Sequence, residues 1–140
     1  MAATLTETTS DVVRASRLTH RFKVLSGPHA PRAARHILAG LSWVPPRLLD
    51  TAALLLTELV TNSVRHAGAG RHDRIEIFVE WAGGRLRVEV IDGGGGFALP
   101  SRPLARFPEP GGMGLVLVDR LADRWSTERE PRVRVWFVLG

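Results

Sequence analysis

From Asp92 to Gly112 the chain drops all apolar periodicity and is punctuated by glycine and proline, opening on Asp92-Gly93-Gly94-Gly95-Gly96-Phe97 and closing on Gly111-Gly112. A stretch of this kind and length reads as a loop, and long loops inside compact domains are commonly functional. Any fold must therefore carry it between two well-formed halves. At 140 residues the chain suits one domain. With 44% apolar and 24% charged residues it has the balance of a folded protein.

The segments around the loop have readable periods. Thr19 to Leu25 alternates polar and apolar residues as a half-buried strand does, and Ser26-Gly27-Pro28 breaks it. Pro31 to Leu41 spaces Ala34, Ile37, Leu38 and Leu41 at helical intervals. The prolines between Ser42 and Pro46 deny a continuous helix, and Arg47 to Ala67 then holds the longest helical pattern, ended by Gly68-Ala69-Gly70. Arg74 to Trp81 and Arg85 to Ile91 alternate around Ala82-Gly83-Gly84 and predict a β-hairpin. Beyond the loop, Gly114 to Ala122 places Leu115, Val118 and Leu121 on one helical face, and Arg124 to Arg129 and Arg132 to Leu139 predict a second hairpin turned at Glu130-Pro131. The expected fold is α+β, a two-layer α/β sandwich with helices on one face of a mixed sheet. Residues 1–17 lack periodicity and read as an N-terminal extension to a domain over 18–140.

Composition removes several classes of function. Without cysteine there are no disulfides, thiolate metal sites or cysteine nucleophiles. The longest apolar runs, such as Ala52 to Leu56, fall far short of the roughly 20 residues of a membrane span. Met1 to Asp11 is polar and does not resemble a secretory signal, so a cytoplasmic protein is expected. The net charge of +5 is almost entirely arginine and is dispersed rather than gathered on one element. Direct nucleic-acid binding is accordingly not expected.

Three clusters could carry chemistry. On the long helix, Glu58 and Asn62 are one turn apart and offer a carboxylate and an amide oxygen to one ion or water; the competing reading puts both on a solvated face opposite Leu55, Leu59 and Val60. A hard cation such as Mg²⁺ accepts such oxygens and completes its shell with water and substrate phosphates. Asp92, at a strand end beside four glycines, could accept a hydrogen bond from an exocyclic amine while the glycines let a flat ring approach; a flexible tether is the alternative. Gly111-Gly112-Met113-Gly114 leads into a helix N-terminus, where free N–H groups favour an anion, although helix capping explains the same pattern.

In this order the clusters are recognisable. Glu58-Leu59-Val60-Thr61-Asn62-Ser63-Val64-Arg65-His66-Ala67 resembles the N box of the GHKL ATPase superfamily, which includes histidine kinases, gyrase and the anti-sigma factor serine kinases. Asp92 to Phe97 is similar to its first glycine box and Gly112-Met113-Gly114-Leu115 to its second. The resemblance extends from about Arg21 to Leu139 and is closest to small stand-alone ATP-binding regulators similar to the anti-sigma kinases.

That resemblance implies a Bergerat ATP-binding fold using ATP and Mg²⁺. Asn62 would ligand the metal, and Glu58 would be the general base or orient the attacking hydroxyl. Asp92 would pair with the adenine amino group, with Gly94 and Gly96 giving the base room. Gly112, Met113, Gly114 and Leu115 would form the phosphate side. Arg106, with Arg102, would be the loop cation able to reach a γ-phosphate. His66 matches a position where the family commonly has histidine, with helix packing and capping as its simpler role. Ser63 stands where alanine is frequent, and Arg134 stands before Val135-Trp136-Phe137 where the family often has threonine on the adenine side. The implied function is a serine/threonine kinase acting on a regulatory protein partner, an anti-sigma antagonist or a sigma factor, with a homodimer as a further expectation. The alternative is a nucleotide-gated module that sequesters such a partner without turnover.

Overall fold

The computed structural model describes residues 17–66, 74–92, 113–129 and 132–140. In chain order the elements are β1 (Leu18–Leu25), α1 (Ala30–Ala39), α2 (Pro46–His66), β2 (Arg74–Ala82), β3 (Arg85–Asp92), α3 (Met113–Leu121), β4 (Arg124–Glu128) and β5 (Arg134–Leu139). Every element expected from periodicity is present, and most boundaries move by only a residue or two. The glycine cap at 68–70, the loop at 93–112, the turn at 130–131 and the extension up to residue 16 lie outside the described residues.

Proline and glycine set the local boundaries. Pro31 sits in the first turn of α1 and Pro46 opens α2, where a missing N–H costs nothing. Gly40 closes α1 by donating its N–H to the carbonyls of His36 and Ile37. Between β2 and β3, Gly83 and Gly84 both have positive φ, at 59° and 76°. That pair of conformations makes a tight hairpin turn whose twist matches the strands, and a side chain at either position would be strained.

The five strands run in the order β1-β2-β3-β5-β4. The expected sheet is mixed and mostly antiparallel, and among the described residues all four pairings are antiparallel. The reason is that β4 and β5 form a returning pair, and β5 lies against β3 with opposite direction.

Strand alternation sorts the sheet into two faces. Val24, Ile75, Ile77, Val79, Leu86, Val88, Val90, Val135, Phe137 and Leu139 point to the helices and form one core with Leu38, Leu55, Leu56, Leu59 and Val118. On α3, Leu115 and Val118 are buried as the pattern predicts, but Leu121 is 44% exposed, because the helix ends at that residue instead of continuing over the core.

The opposite face of the sheet is a lattice of charge and aromatic rings. Arg21 hydrogen-bonds to Glu76 and lies over the Phe78 ring, 4.9 Å from its centroid. Arg87 bonds to Glu89 at 2.6 Å and stacks 4.1 Å over Trp136. Glu76 is buried, and the Arg21 guanidinium hydrogen-bonded to it, supported by Arg132 and Lys23, holds its carboxyl below the usual glutamate range against the opposing effect of burial. A carboxylate depressed in this way adds stability above its unfolded pKa that is lost as pH falls through the lower folded value. Glu76→Gln is expected to cost about 1–2 kcal/mol near neutral pH, since Arg21 is largely exposed and part of the interaction is screened. Urea denaturation of both proteins should show this difference shrinking steadily as the pH is taken below about 4.

Candidate functional site

The site is built where the C-terminal half of α2 meets the ends of the central strands. The buried stripe of α2 runs through Ala52, Leu55, Leu56, Leu59 and Val60, and then continues into Asn62 and Ser63. Asn62 is 6% exposed, so the solvated-face reading fails for it. Glu58, one turn earlier, is half-buried on the flank of that stripe. No ion pair holds Glu58 among the described residues.

The Oδ1 atom of Asn62 is buried and accepts no hydrogen bond among the described residues, and the Ser63 hydroxyl is in the same condition. A buried polar atom without a partner costs roughly 1–3 kcal/mol, so an apolar residue at 62 would serve the fold better. The amide oxygen fits a ligand. It is a hard oxygen of the type that Mg²⁺ accepts before completing its shell with water and substrate phosphate. Among the described residues no cluster of three or more His, Cys, Asp or Glu could hold a metal ion.

Asp92 ends β3 on the helix-facing side, in line with Val88 and Val90 and opposite Ile75. It is buried, at 5% exposure. Its backbone is clamped on the neighbouring segment: its N–H donates to the Val133 carbonyl at 3.0 Å, and its own carbonyl accepts from Arg132 Nε at 3.4 Å. Arg132 also approaches Glu76, with Nη1 to Oε2 at 3.6 Å. This arginine therefore ties β2, the end of β3 and the lead into β5 together, and the sequence reading passed over it. Its only signal was the alternation Arg132-Val133-Arg134-Val135, in which either arginine could have faced either way.

Arg134, which stands where the resemblance places a threonine on the adenine side, does not face that side. Val135 points into the core, so Arg134 points to the opposite face, where its Nε lies 3.2 Å from Glu128 Oε2. The half-buried Val133, packed against the core, is the residue on the Asp92 side of the sheet. Arg134 thus neither fills nor opens the space beside Asp92.

On the far side, α3 begins at Met113, its first turn has no acidic residue, and Leu115 is buried in the core at 4% exposure. Leu115 anchors the helix, which leaves the N-terminal N–H groups of the first turn as the anion-seeking feature. Gly94, Gly96, Arg102, Arg106 and Gly112 lie outside the described residues, as do the side chains of His66 and Met113. The described candidates are Glu58, Asn62 and Ser63 on α2, Asp92 at the end of the central strand β3, and the start of α3, a helix that packs against α2 as β3 does.

Replacing Asn62 by leucine, of similar size and without the orphaned oxygen, is expected to leave thermal stability equal to or above that of the native chain while weakening Mg²⁺-dependent ligand binding by about tenfold or more. Melting curves and calorimetric titrations on the same preparations check both halves.

No curated protein matches the chain. The family model for the histidine kinase-like ATPase domain matches residues 26–138, which takes in all of these site residues.

Proposed function

The chain belongs to the histidine kinase-like ATPase family, and from that membership we propose that this ATP-binding domain is a regulatory kinase, transferring the γ-phosphoryl group of ATP to a serine or threonine of a partner protein. The observation that carries the reading is the pairing of a half-buried carboxylate, Glu58, with the buried and unsatisfied amide oxygen of Asn62, one helical turn apart. A helix under selection for packing alone has no use for either.

In this reading Asp92 accepts a hydrogen bond from the exocyclic amine of adenine, which explains a carboxylate at the buried end of a core-facing strand. Its clamped backbone fixes where that acceptor stands. The N–H groups at the start of α3 receive phosphate oxygens. Mg²⁺, held by Asn62, would neutralise charge on the phosphates. Phosphoryl transfer asks chiefly for positioning and charge stabilisation, and little covalent work from the protein.

The partner hydroxyl oxygen bonds to the γ-phosphorus as the bond to the β–γ bridging oxygen breaks, ADP leaves, and the hydroxyl proton passes to the Glu58 carboxylate. Residue 58 is suited to this because it is open enough to meet an incoming side chain, whereas Asn62 is not. The regulatory character and the choice of an anti-sigma antagonist or sigma factor as partner follow the resemblance of the motifs to the anti-sigma kinases.

Two measurements test the proposal. Asp92→Asn turns half of the adenine acceptor into a donor and is expected to weaken ATP binding by at least about tenfold in calorimetric titration. Glu58→Ala should bind ATP like the native chain yet lose about a hundredfold or more of the transfer rate to a co-purified partner, followed with labelled ATP. Unchanged transfer by Glu58→Ala removes that residue from the role. Nucleotide-dependent partner retention with no label transferred by the native chain would favour the sequestering module instead.

A further inference from the structure

On the outer side of the helix layer, α1 and α2 part to leave a groove of about 700 Å³. Ala33, Leu49 and Ala53 give it an apolar floor, and α1 walls it with His29, Arg32, Arg35 and His36. His29, Arg32 and His36 recur every three or four positions and so share one helical face, with Arg35 at its edge. Leu54, 42% exposed, lies one turn beyond Asp50 on α2 and extends the apolar surface.

The charge of the groove is lopsided. Helix α1 contains no acidic residue, its cap makes no side-chain hydrogen bond, and Asp50 is the single carboxylate of the lining. Among the described residues no carboxylate pairs with Arg32 or Arg35, and both guanidinium groups line this one groove. Like charges this close along a helix weaken it, so the stability of α1 does not call for them. An apolar floor beneath unpaired guanidinium groups complements a chain segment that carries both carboxylates and aliphatic side chains.

We propose that the groove between α1 and α2 is the docking site for an acidic, aliphatic segment of the protein partner. The inference rests on the proposed function only in requiring such a partner. Asp50 precedes Asn62 by twelve positions, which sets the groove roughly 18 Å along α2 from the nucleotide side. That exceeds the Debye length of about 8 Å at physiological ionic strength, so charge changes in the groove leave nucleotide binding untouched. One helix thus carries docking at its first turns and chemistry at its last.

The test uses the full chain and a fluorescein-labelled peptide of glutamate and leucine, read by anisotropy, beside the same peptide with glutamine for every glutamate. The native chain should bind the acidic peptide, more weakly as salt rises, and bind the glutamine peptide at least about tenfold more weakly. The exposed pair Arg32→Glu and Arg35→Glu should lose about tenfold or more of the acidic-peptide affinity, with Arg32→Gln and Arg35→Gln intermediate, while ATP affinity stays at the native value. Equal peptide binding by the native and reversed chains overturns the proposal. So does retention of anionic vesicles or duplex DNA, but not the peptide, by the native groove. ATP binding that fails in the native chain while peptide binding follows the arginines would sink the kinase reading and leave the groove standing.

Discussion

Everything at the site depends on the seating of α2 against β3. The helix presents a stripe of Ala52, Leu55, Leu56, Leu59 and Val60, and the strand answers with Leu86, Val88 and Val90, all buried. Packing of this density leaves little freedom in rotation or register. The residues that follow on each element, Asn62 and Ser63 on the helix and Asp92 on the strand, are each carried into burial whether or not the fold gains by it. The apolar core acts as the jig, and the polar groups at its end are held to its tolerance.

The buried amide oxygen of Asn62 contrasts with the far side of the sheet. There, Glu76 and Glu89 are also buried, but each is met by an arginine. The chain is thus able to satisfy interior carboxylates where they are structural. Against that background the unmet amide oxygen of Asn62 reads as a contact reserved for something other than protein, since unsatisfied buried groups in native folds are few and concentrate at working sites.

Much of this was legible in the sequence because the relevant signals are local. Helix and strand periods, the glycine pair of the β2–β3 turn and the proline at the head of α2 are decided by neighbouring residues, and they came out in the right order. Glu58, Asn62 and Asp92 stood out as candidates by residue type and spacing. What could not be read is what depends on long-range pairing. The antiparallel docking of β5 on β3 decides that Arg134 faces away from Asp92 and that Arg132 clamps it, and neither fact is encoded within a window of ten residues. Likewise, Asn62 could have been solvated or buried until the rotation of α2 on the sheet was known.

The Gly83-Gly84 turn carries a kinetic implication. It joins consecutive strands with almost no loop-closure entropy to overcome, so β2 and β3 can zip together on the timescale of about 1–10 μs typical of hairpins. Adding β5 to β3, like adding β1 to β2, brings together residues far apart in the chain, and these are the slow, high-contact-order steps. Asp92 is therefore set in its strand early, while the Val133 and Arg132 contacts that brace it arrive with the late strand. The Asp92 end of β3 is thus braced only once β5 has docked, after the hairpin at the centre of the sheet has formed.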